Sequence, residues 1–550
     1  MVKKLWPMQA SRLKIKSRGN TVRFPPFSRL ITFSIALVWA VLACSKTTYW
    51  IPPASTPTVP PEIAFLLSTP DPAILTPSPT PQEVVLPTPQ KTSASHSSPE
   101  LVALPTLSES DTPILYYAQA ADTLPVVALR FGVKTDEITS PDPLPATSIL
   151  TPGQLLIIPR RIANTTTAQH VLPDSELVYS PSAADFDIVD FVNKAGGKLS
   201  TYDEWTKTYG LKSGAEVIQR VALENSINPR LLLALLEYHS HWVYGQPTSQ
   251  DEEDYPLGYV EPNHKGLFRQ LVWAVDQLSI GYYSWREGRL SELYFKRDGY
   301  KTRLAPDLNA GSVALQYYFA QLFDTSRWLE TMELKKGFPA LYEQMYDNPW
   351  QRALKVEPLY PPGLEQPPMT LPFEMKKIWS FTGGPHGSWE QDGSYAALDF
   401  APASSMPGCV DSNAWVTASA SGVVARSAKG VLVLDLDGDG REETGWVLLY
   451  LHVSSESSLP VGSWVEVGTH LGHPSCEGGH ATGTHVHIAR KFNGEWIAAG
   501  GPMPFVLSGW VAYAGEAAYK GYLLRGEDKI KACTCSTHDT FVQRTEEDPY

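Results

Sequence analysis

The spacing of apolar residues predicts a helical segment in the middle of the chain. Between residues 184 and 355, Ser213 and Glu216 form a capping box, and Val217 and Val221 follow at helical spacing. Asn228 then precedes Pro229 in the arrangement of a helix cap with proline at the first helical position. Three further stretches have the same period: Leu231 to Leu236, Gly266 to Tyr283 and Ser312 to Phe323. We therefore expect an all-α domain over residues 184–355.

Short alternating stretches replace the helical period after a proline cluster at residues 361–368. They are typical of half-buried β-strands, and they comprise Ala414 to Arg426, Val431 to Leu436, Gly445 to His452, Trp464 to Val467 and Thr484 to Lys491. The pattern predicts an antiparallel β domain over residues 368–512. The remaining residues, 513–550, are mostly polar beyond Lys520 and are expected to form a tail.

A third pattern occupies residues 113–160, where two short apolar runs flank a helix start at Asp122. The runs are Leu115 to Ala118 and Leu155 to Pro159, the second preceded by a Pro-Gly turn. The motifs Ala121-Asp-Thr-Leu124 and Pro152-Gly-Gln-Leu155 resemble those of LysM modules. That resemblance implies a small β-α-α-β fold that binds peptidoglycan. Together with the helical and β domains, it predicts a multi-domain α+β protein.

The amino terminus has the charge and hydropathy of an export sequence. The first thirty residues carry eight basic side chains and no acidic one, and the apolar run Ile31 to Ala43 follows. This run is short for a membrane span of about 20 residues but suits a secretory signal. Val41-Leu-Ala-Cys44 resembles a bacterial lipoprotein box, which makes Cys44 a candidate lipidation site, and an uncleaved membrane anchor is the alternative. Residues 1–46 therefore predict an extracellular or envelope location.

Composition separates this leader from the compact part of the chain. Residues 47–112 are rich in Pro, Thr and Ser, which cannot bury enough apolar surface to offset the entropy of ordering. We expect a disordered stalk there. The net charge of −13 argues against a nucleic-acid binder.

Four cysteines lie beyond the leader, at positions 409, 476, 533 and 535. In an exported protein they are expected to form disulfides, and four cysteines allow three connectivities. Cys409 and Cys476 flank the same predicted sheet region and are the preferred pair. Free thiols are the alternative.

His485 and His487 lie one residue apart in a predicted strand. Alternate residues of a strand point to the same face, so both imidazoles should face the same side of the sheet. A polar outer face would explain the pair, and so would a zinc site in which one histidine binds metal and the other moves protons.

Residues 370–510 resemble the lysostaphin and LytM family of zinc endopeptidases, in its β-lytic, staphylolysin-like branch. The motifs are Gly383-Gly-Pro-His386, Ala397-Leu-Asp399, Tyr450-Leu-His452 and Gly483-Thr-His-Val-His487. Tyr395 stands where the common family form has a histidine, and the β-lytic branch instead takes its first ligand from thirteen residues before the Asp, where this chain has His386.

The resemblance implies that His386, Asp399 and His487 hold Zn²⁺, and that His452 and His485 act on the attacking water and on the oxyanion. Two histidines and one carboxylate leave an open position on zinc for water. The implied activity is that of a peptidoglycan endopeptidase. A catalytically inactive wall-binding scaffold, or an activator of other hydrolases, is the alternative.

Residues 229–242 resemble the catalytic helix of lysozyme-like lytic transglycosylases. In that family a glutamate acts as general acid immediately before a serine, whereas His239 precedes Ser240 here. The nearest carboxylate, Glu237, would point from another side of the helix. A degenerate wall-binding or spacer domain is therefore preferred to a glycan-cleaving one that uses Glu237.

Asp435, Asp437 and Asp439 begin like a calcium-binding loop, with carboxylates at positions one, three and five. Position twelve holds Trp446 instead of the usual glutamate. A hairpin turn is the preferred explanation, with a Ca²⁺ site as the alternative.

Overall fold

The computed structural model describes residues 112–389 and 392–549. The proposed export sequence, the lipidation site Cys44 and all but the last residue of the proposed stalk lie outside the described residues. None of the helices in the described ranges is both apolar and long enough to traverse a bilayer.

The first described segment consists of two paired strands and one helix. Its elements are β1 (Ile114–Tyr117), α1 (Leu124–Phe131) and β2 (Leu155–Ile158), with β1 antiparallel to β2. The second helix implied by the LysM resemblance is a single 3-10 turn at Thr135–Glu137. Inside the segment, Arg130 and Asp122 form a buried ion pair of 2.7 Å.

Residues 170–360 form a helix-rich part that we call the helical body. Its elements in chain order are α2 (Ile188–Ala195), β3 (Asp203–Thr206), β4 (Gly210–Ser213), α3 (Gly214–Asn225), α4 (Pro229–Ser240), α5 (Gln250–Asp254), α6 (Leu267–Arg286), β5 (Glu292–Tyr294), β6 (Lys301–Arg303), α7 (Ala310–Leu322), α8 (Thr325–Thr331), α9 (Phe338–Tyr346) and α10 (Pro349–Ala353). The prediction of an all-α domain was wrong in one respect, because β3–β4 and β5–β6 are two antiparallel hairpins.

Local sequence signals account for the ends of several of these helices. Ser213 and Glu216 form the predicted capping box of α3, and the Asn228 side chain caps α4 ahead of Pro229. At Gly281, α6 and α7 pack so closely that a Cβ would lie 2.8 Å from the Ala314 Cα. Only glycine permits this approach.

The carboxy-terminal part is built on antiparallel strands. They are β7 (Ile378–His386), β8 (Ala397–Pro402), β9 (Val416–Thr417), β10 (Gly422–Ala428), β11 (Val431–Asp435), β12 (Trp446–Leu451), β13 (Trp464–Val465), β14 (His470–Gly472), β15 (Val486–Phe492), β16 (Glu495–Trp496), β17 (Val506–Leu507), β18 (Trp510–Ala514), β19 (Gly521–Arg525), β20 (Asp528–Lys531) and β21 (Phe541–Gln543). The main sheet has the order β13-β10-β11-β12-β15-β8-β7-β21, with β16 paired to β15.

The expected tail is part of this β structure. β18 crosses the proposed boundary at residue 512, and β17 to β20 form a four-stranded sheet. Phe541–Gln543 then returns to pair with β7 at the edge of the main sheet. The polar composition of residues 513–550 is therefore that of short, partly exposed strands.

Both faces of the main sheet are buried at its centre, which explains the continuous apolar runs of β11 and β12. Alternate residues enter different cores: Leu448 and Tyr450 pack with the rest of the β part, whereas Leu449 belongs to the core shared with the helical body. By the same alternation, Ala397 and Ala489 face the helical body. The molecule is thus a mixed helix and antiparallel-sheet protein in which the helices cover one sheet face.

Polar contacts link the helical body to the β15–β16 hairpin. Arg286 lies 2.8 Å from Asp174 and 3.1 Å from Glu495, and all three side chains are buried. The Tyr282 hydroxyl donates to Glu495 at 2.9 Å, and the Ser226 hydroxyl donates to the Gly494 carbonyl at 2.7 Å. Since a buried charge without a partner is costly, these pairs favour one docking geometry of the body on the sheet.

Candidate metal centre

Three neighbouring strands of the main sheet bring His386, Asp399 and His487 together. Asp399 on β8 lies directly opposite His487 on β15, and His386 is the last residue of β7. The β7–β8 ladder is irregular between Gly383 and His386, which changes the direction of the strand just before the histidine. Three residues that together span about a hundred positions of sequence therefore share one site.

The three side chains approach one another through one atom each. His386 Nε2 lies 3.0 Å from His487 Nδ1 and 3.3 Å from Asp399 Oδ1, and His487 Nδ1 lies 3.2 Å from the same oxygen. All three residues are buried. Ligands of a tetrahedral zinc ion at bond lengths of about 2.0 to 2.1 Å are separated by about 3.3 to 3.4 Å, which is close to the observed spacing.

Backbone carbonyls orient both imidazoles. His386 Nδ1 donates to the Gly384 carbonyl at 2.8 Å, and His487 Nε2 donates to the Ser388 carbonyl at 3.0 Å. In each ring the other nitrogen then carries a lone pair that points into the site. This arrangement is the usual support of histidine ligands to a metal.

Asp399 Oδ1 is buried and receives no well-directed hydrogen bond, although two imidazole nitrogens lie within 3.3 Å of it. Burial would by itself raise the pKa of Asp399, but His386 and His487 outweigh it and hold the pKa well below its usual range. Three lone pairs that face one another in a buried site need a cation between them. The donor set and the orphaned oxygen therefore fit a divalent cation, with zinc preferred by two imidazoles and a carboxylate.

His452 and His485 form a second pair beside this centre. Their ring centroids are 4.4 Å apart, and His485 Nε2 lies 3.7 Å from Asp399 Oδ1. Each ring donates from Nδ1 to a backbone carbonyl at 2.7 Å, His452 to Glu477 and His485 to Gly483. Both Nε2 atoms are therefore left as acceptors.

The environment keeps His452 neutral and holds its backbone in an unusual conformation. Burial, followed by repulsion from His485 and His487, lowers the pKa of His452 to about 3. Its φ is +62°, which is rare for a residue with a Cβ and is often seen at functional sites.

An open cleft of about 790 Å³ leads to the five side chains. Its walls come from residues 401–408 and 410–412, residues 480–484, Tyr519 and residues 534–536. Cys409 and Cys476 form a disulfide that joins the first wall to the loop before the second, and Cys533 is joined to Cys535. Each residue that lines this cleft, among those the structure describes, belongs to the β part.

Tyr519 is a site residue that the sequence did not reveal. Its ring stacks on His386 with centroids 4.1 Å apart and a 22° tilt, and its backbone amide donates to the Pro385 carbonyl at 3.2 Å. It lies between β18 and β19, in the segment expected to be a tail. The carbonyls of Gly384, Ser388 and Glu477 also went unrecognised, because a backbone group leaves no side-chain signal.

The candidate glycosidase residue Glu237 has a structural role in α4. Its Oε2 accepts from the amides of Val243 and Tyr244 at 3.0 and 2.9 Å, so the carboxylate closes the turn after the helix. His239 is buried against Phe319 and Tyr318, and burial, with a smaller contribution from Arg327, lowers its pKa to about 3.

Asp435, Asp437 and Asp439 also offer oxygens within 4.8 Å of one another. Each carboxylate already accepts a backbone amide: Asp435 from Asp437 and Gly440, Asp437 from Asp439, and Asp439 from Arg441. These bonds are those of a tight turn between β11 and β12. Calcium binding here stays a prediction.

Known proteins share sequence with this chain over about half of its length. Residues 170–360 match the family described as "LasA, N-terminal domain". Protease LasA of Pseudomonas aeruginosa is 26% identical over 313 residues, which cover 53% of this chain and 69% of that protein. This chain is similar to Protease LasA. The LasA protein of a second strain is 27% identical over 314 residues, with the same coverage.

The LasA family match covers the helical body from before α2 to past α10. The resemblance to lytic transglycosylases rests on one helix of this body and stays a prediction, as does the LysM resemblance of residues 113–160.

Solved structures of peptidases are also similar to parts of this chain. The M23 metalloprotease pseudoalterin from the deep sea is 26% identical, covering 30% of this chain and 94% of its own, with a TM-score of 0.26. A zinc-containing peptidase from Vibrio cholerae is 18% identical over 26% of this chain and 41% of its own, with a TM-score of 0.19. The lysostaphin catalytic domain from Staphylococcus simulans is 20% identical over 23% of this chain and 89% of its own, with a TM-score of 0.17.

Proposed function

We propose that this protein is a zinc-dependent endopeptidase that cleaves peptide bonds in bacterial peptidoglycan. The observation that carries the proposal is the convergence of His386 Nε2, Asp399 Oδ1 and His487 Nδ1 within 3.3 Å, around an oxygen without a hydrogen bond. The similarity to Protease LasA supports a proteolytic activity. The LysM resemblance of residues 113–160 supports a cell-wall substrate.

Zinc bound by His386, Asp399 and His487 would polarise the scissile carbonyl and lower the pKa of an attacking water. The chain's own residues then handle protons and charge. His485 is the more exposed of the second histidine pair, at 16% of its side chain against a buried His452. With Nε2 free, it accepts a proton from water at the cleft and later returns it to the leaving amine.

His452 stabilises the oxyanion that forms on the substrate carbonyl. Its Nε2 accepts in the resting state, since Nδ1 is committed to Glu477. The proton that the attacking water releases can be carried by either ring of the pair, whose centroids are 4.4 Å apart. While His452 carries it, Nε2 donates to the oxyanion, and the proton leaves with the amine when the C–N bond breaks. Tyr519, stacked on His386, limits the approach of substrate from that side.

We further propose an oxidising location outside the cytoplasm, reached through the basic and apolar amino terminus. The disulfide between Cys409 and Cys476 supports this location, because such bonds persist in secreted and envelope proteins. A lipid on Cys44 or an uncleaved anchor would attach the chain to a membrane.

The test is zinc content followed by digestion of purified cell walls with the full chain. We expect one zinc per chain and release of peptides whose new termini mass spectrometry identifies. His487→Ala should lose both zinc and activity. His485→Ala should keep zinc while losing activity by about 10² to 10⁴.

The outcomes separate the alternatives. A wild-type chain without stoichiometric zinc, or with zinc but no new peptide termini, would favour the wall-binding scaffold or activator. Products with anhydromuramic ends that disappear in Glu237→Gln would instead assign glycan cleavage to the helical body.

A further inference from the structure

The helical body covers the same sheet face that carries the metal centre. Ala397 and Ala489 face the helices, and Asp399 and His487 lie two residues away from them, so they point to the same face. Leu398 and Ile488, which lie between, enter the core on the other face. The end of α6 is thereby brought next to the connection between β7 and β8, whose ends supply His386 and Asp399.

Two short arms of that connection, residues 387–389 and 393–395, link the metal centre to the helical body. The first arm supplies the Ser388 carbonyl, which accepts from His487 Nε2 at 3.0 Å. The Ser388 amide donates to the Ser394 carbonyl of the second arm at 3.1 Å. Both serines are buried, so water does not compete for these bonds.

Arg289, which follows α6, holds the second arm. Its Nη2 donates to the Gly393 carbonyl at 3.2 Å, and its guanidinium lies 5.0 Å from the centre of the Tyr395 ring. Glu287 accepts from Arg289 Nε at 2.7 Å and so fixes the direction of the guanidinium. On its other side the arm is held within the β part, since the Ala499 amide donates to the Tyr395 carbonyl at 2.8 Å.

We infer that Arg289 is a positioning residue for the metal ligand His487, so that the helical body helps to orient this ligand in the full chain. Arg289 places the Gly393–Tyr395 arm, the Ser394 carbonyl places Ser388, and the Ser388 carbonyl sets the tautomer and ring angle of His487. The inference rests on the proposed zinc site. It goes beyond it by giving the helical body a role in metal binding.

The test compares Arg289→Ala with Arg297→Ala in the full chain. Arg297 is the matched control: it belongs to the same body, is exposed, and donates from Nε to one backbone carbonyl, that of Leu322, at 3.1 Å. Zinc affinity is measured by competition with a chromophoric chelator. The absorption spectrum of the Co²⁺-substituted protein reports the ligand geometry, which a loss of general stability alone would not change.

We expect Arg289→Ala to weaken zinc binding by about five- to tenfold, below the 10- to 100-fold typical of groups bonded directly to a ligand, because Arg289 acts through the arms. The Co²⁺ spectrum should shift as well. Arg297→Ala should bind both metals like the wild type. Arg289→Lys keeps the charge but loses the planar guanidinium, so it should show a smaller shift in the same direction.

Unchanged zinc affinity and Co²⁺ spectrum in Arg289→Ala, with a wild type that binds zinc, would overturn the inference and leave the proposed function intact. An equal loss in Arg297→Ala would also overturn it, because the effect would then be general. If Arg289→Ala does not fold, the Arg289→Lys spectrum decides, and an unshifted one refutes the role. A wild type that binds no zinc refutes the proposed function itself.

Discussion

Gly383 is not a candidate ligand, but Gly383→Ala is expected to displace the candidate ligand Asp399. A Cβ at position 383 would lie 2.9 Å from the Cγ of Asp399 and nearer still to Oδ2. Nonbonded carbons prefer a separation of about 3.5 Å or more, so the carboxylate must retreat by roughly 0.6 Å. Asp399 is buried on a central strand and cannot move freely.

A displacement of that size exceeds the tolerance of about 0.5 Å within which a designed site keeps its geometry. We therefore expect zinc affinity to fall by about 10- to 100-fold, equivalent to about 1.4 to 2.7 kcal/mol. The assay is chelator competition on the folded variant, together with its thermal unfolding without metal. Overpacking should lower the stability of the metal-free chain by about 1 to 3 kcal/mol.

Gly483→Ala is the matched control. It lies two residues before His485, but a Cβ there would have its nearest contact at 3.5 Å, to the Gly408 carbonyl oxygen. This variant should bind zinc like the wild type. Equal zinc affinity of Gly383→Ala and the wild type would refute the argument that Asp399 needs this glycine, and with it the assignment of Asp399 as a ligand in this geometry.

Three further predictions concern stability. Leu449→Ala should cost about 2 to 5 kcal/mol in urea unfolding, because Leu449 is buried between the sheet and the helical body, and a cost below about 1 kcal/mol would contradict that docking. Glu216→Gln should cost less than about 1 kcal/mol, since the side chain is 42% exposed. Hydrogen bonds from Lys212, then Ser213, lower the pKa of Glu216 to about 2. The stability difference between the wild type and Glu216→Gln should therefore persist above the ordinary pKa of 4.5 and vanish as pH falls towards 2. A stability difference that does not change with pH would exclude the ionised Glu216 as its cause. Replacing Cys409 and Cys476 by serine opens a loop of 67 residues and should lower the free energy of unfolding by about 4 kcal/mol, measured by calorimetry. An unchanged unfolding temperature would exclude stabilisation by this disulfide.

The candidate ligands could be proposed from the resemblance to the lysostaphin and LytM family, because the motifs that carry it are local. His386 follows Gly-Gly-Pro, Asp399 lies within a short apolar strand, and His485 and His487 share a strand of period two. The fold class was predictable for the same reason, since alternating and helical periods are visible within windows of ten residues. The hairpins inside the helical body were missed, because strands of three or four residues carry too few positions to show a period.

The sequence by itself determined the five candidate histidine and aspartate side chains and the longer helices and strands. Only the tertiary structure decided that the helices cover the sheet face carrying the metal centre, that Ser388 and Gly384 orient the imidazoles, and that Tyr519 reaches His386 from the supposed tail. The physical reason is that these relations are made by backbone carbonyls and by contacts between residues about a hundred or more positions apart. Backbone carbonyls and long-range contacts leave no pattern in neighbouring residues. The spacing of apolar residues indicates which face of a helix or strand is buried, but it does not indicate what covers that face.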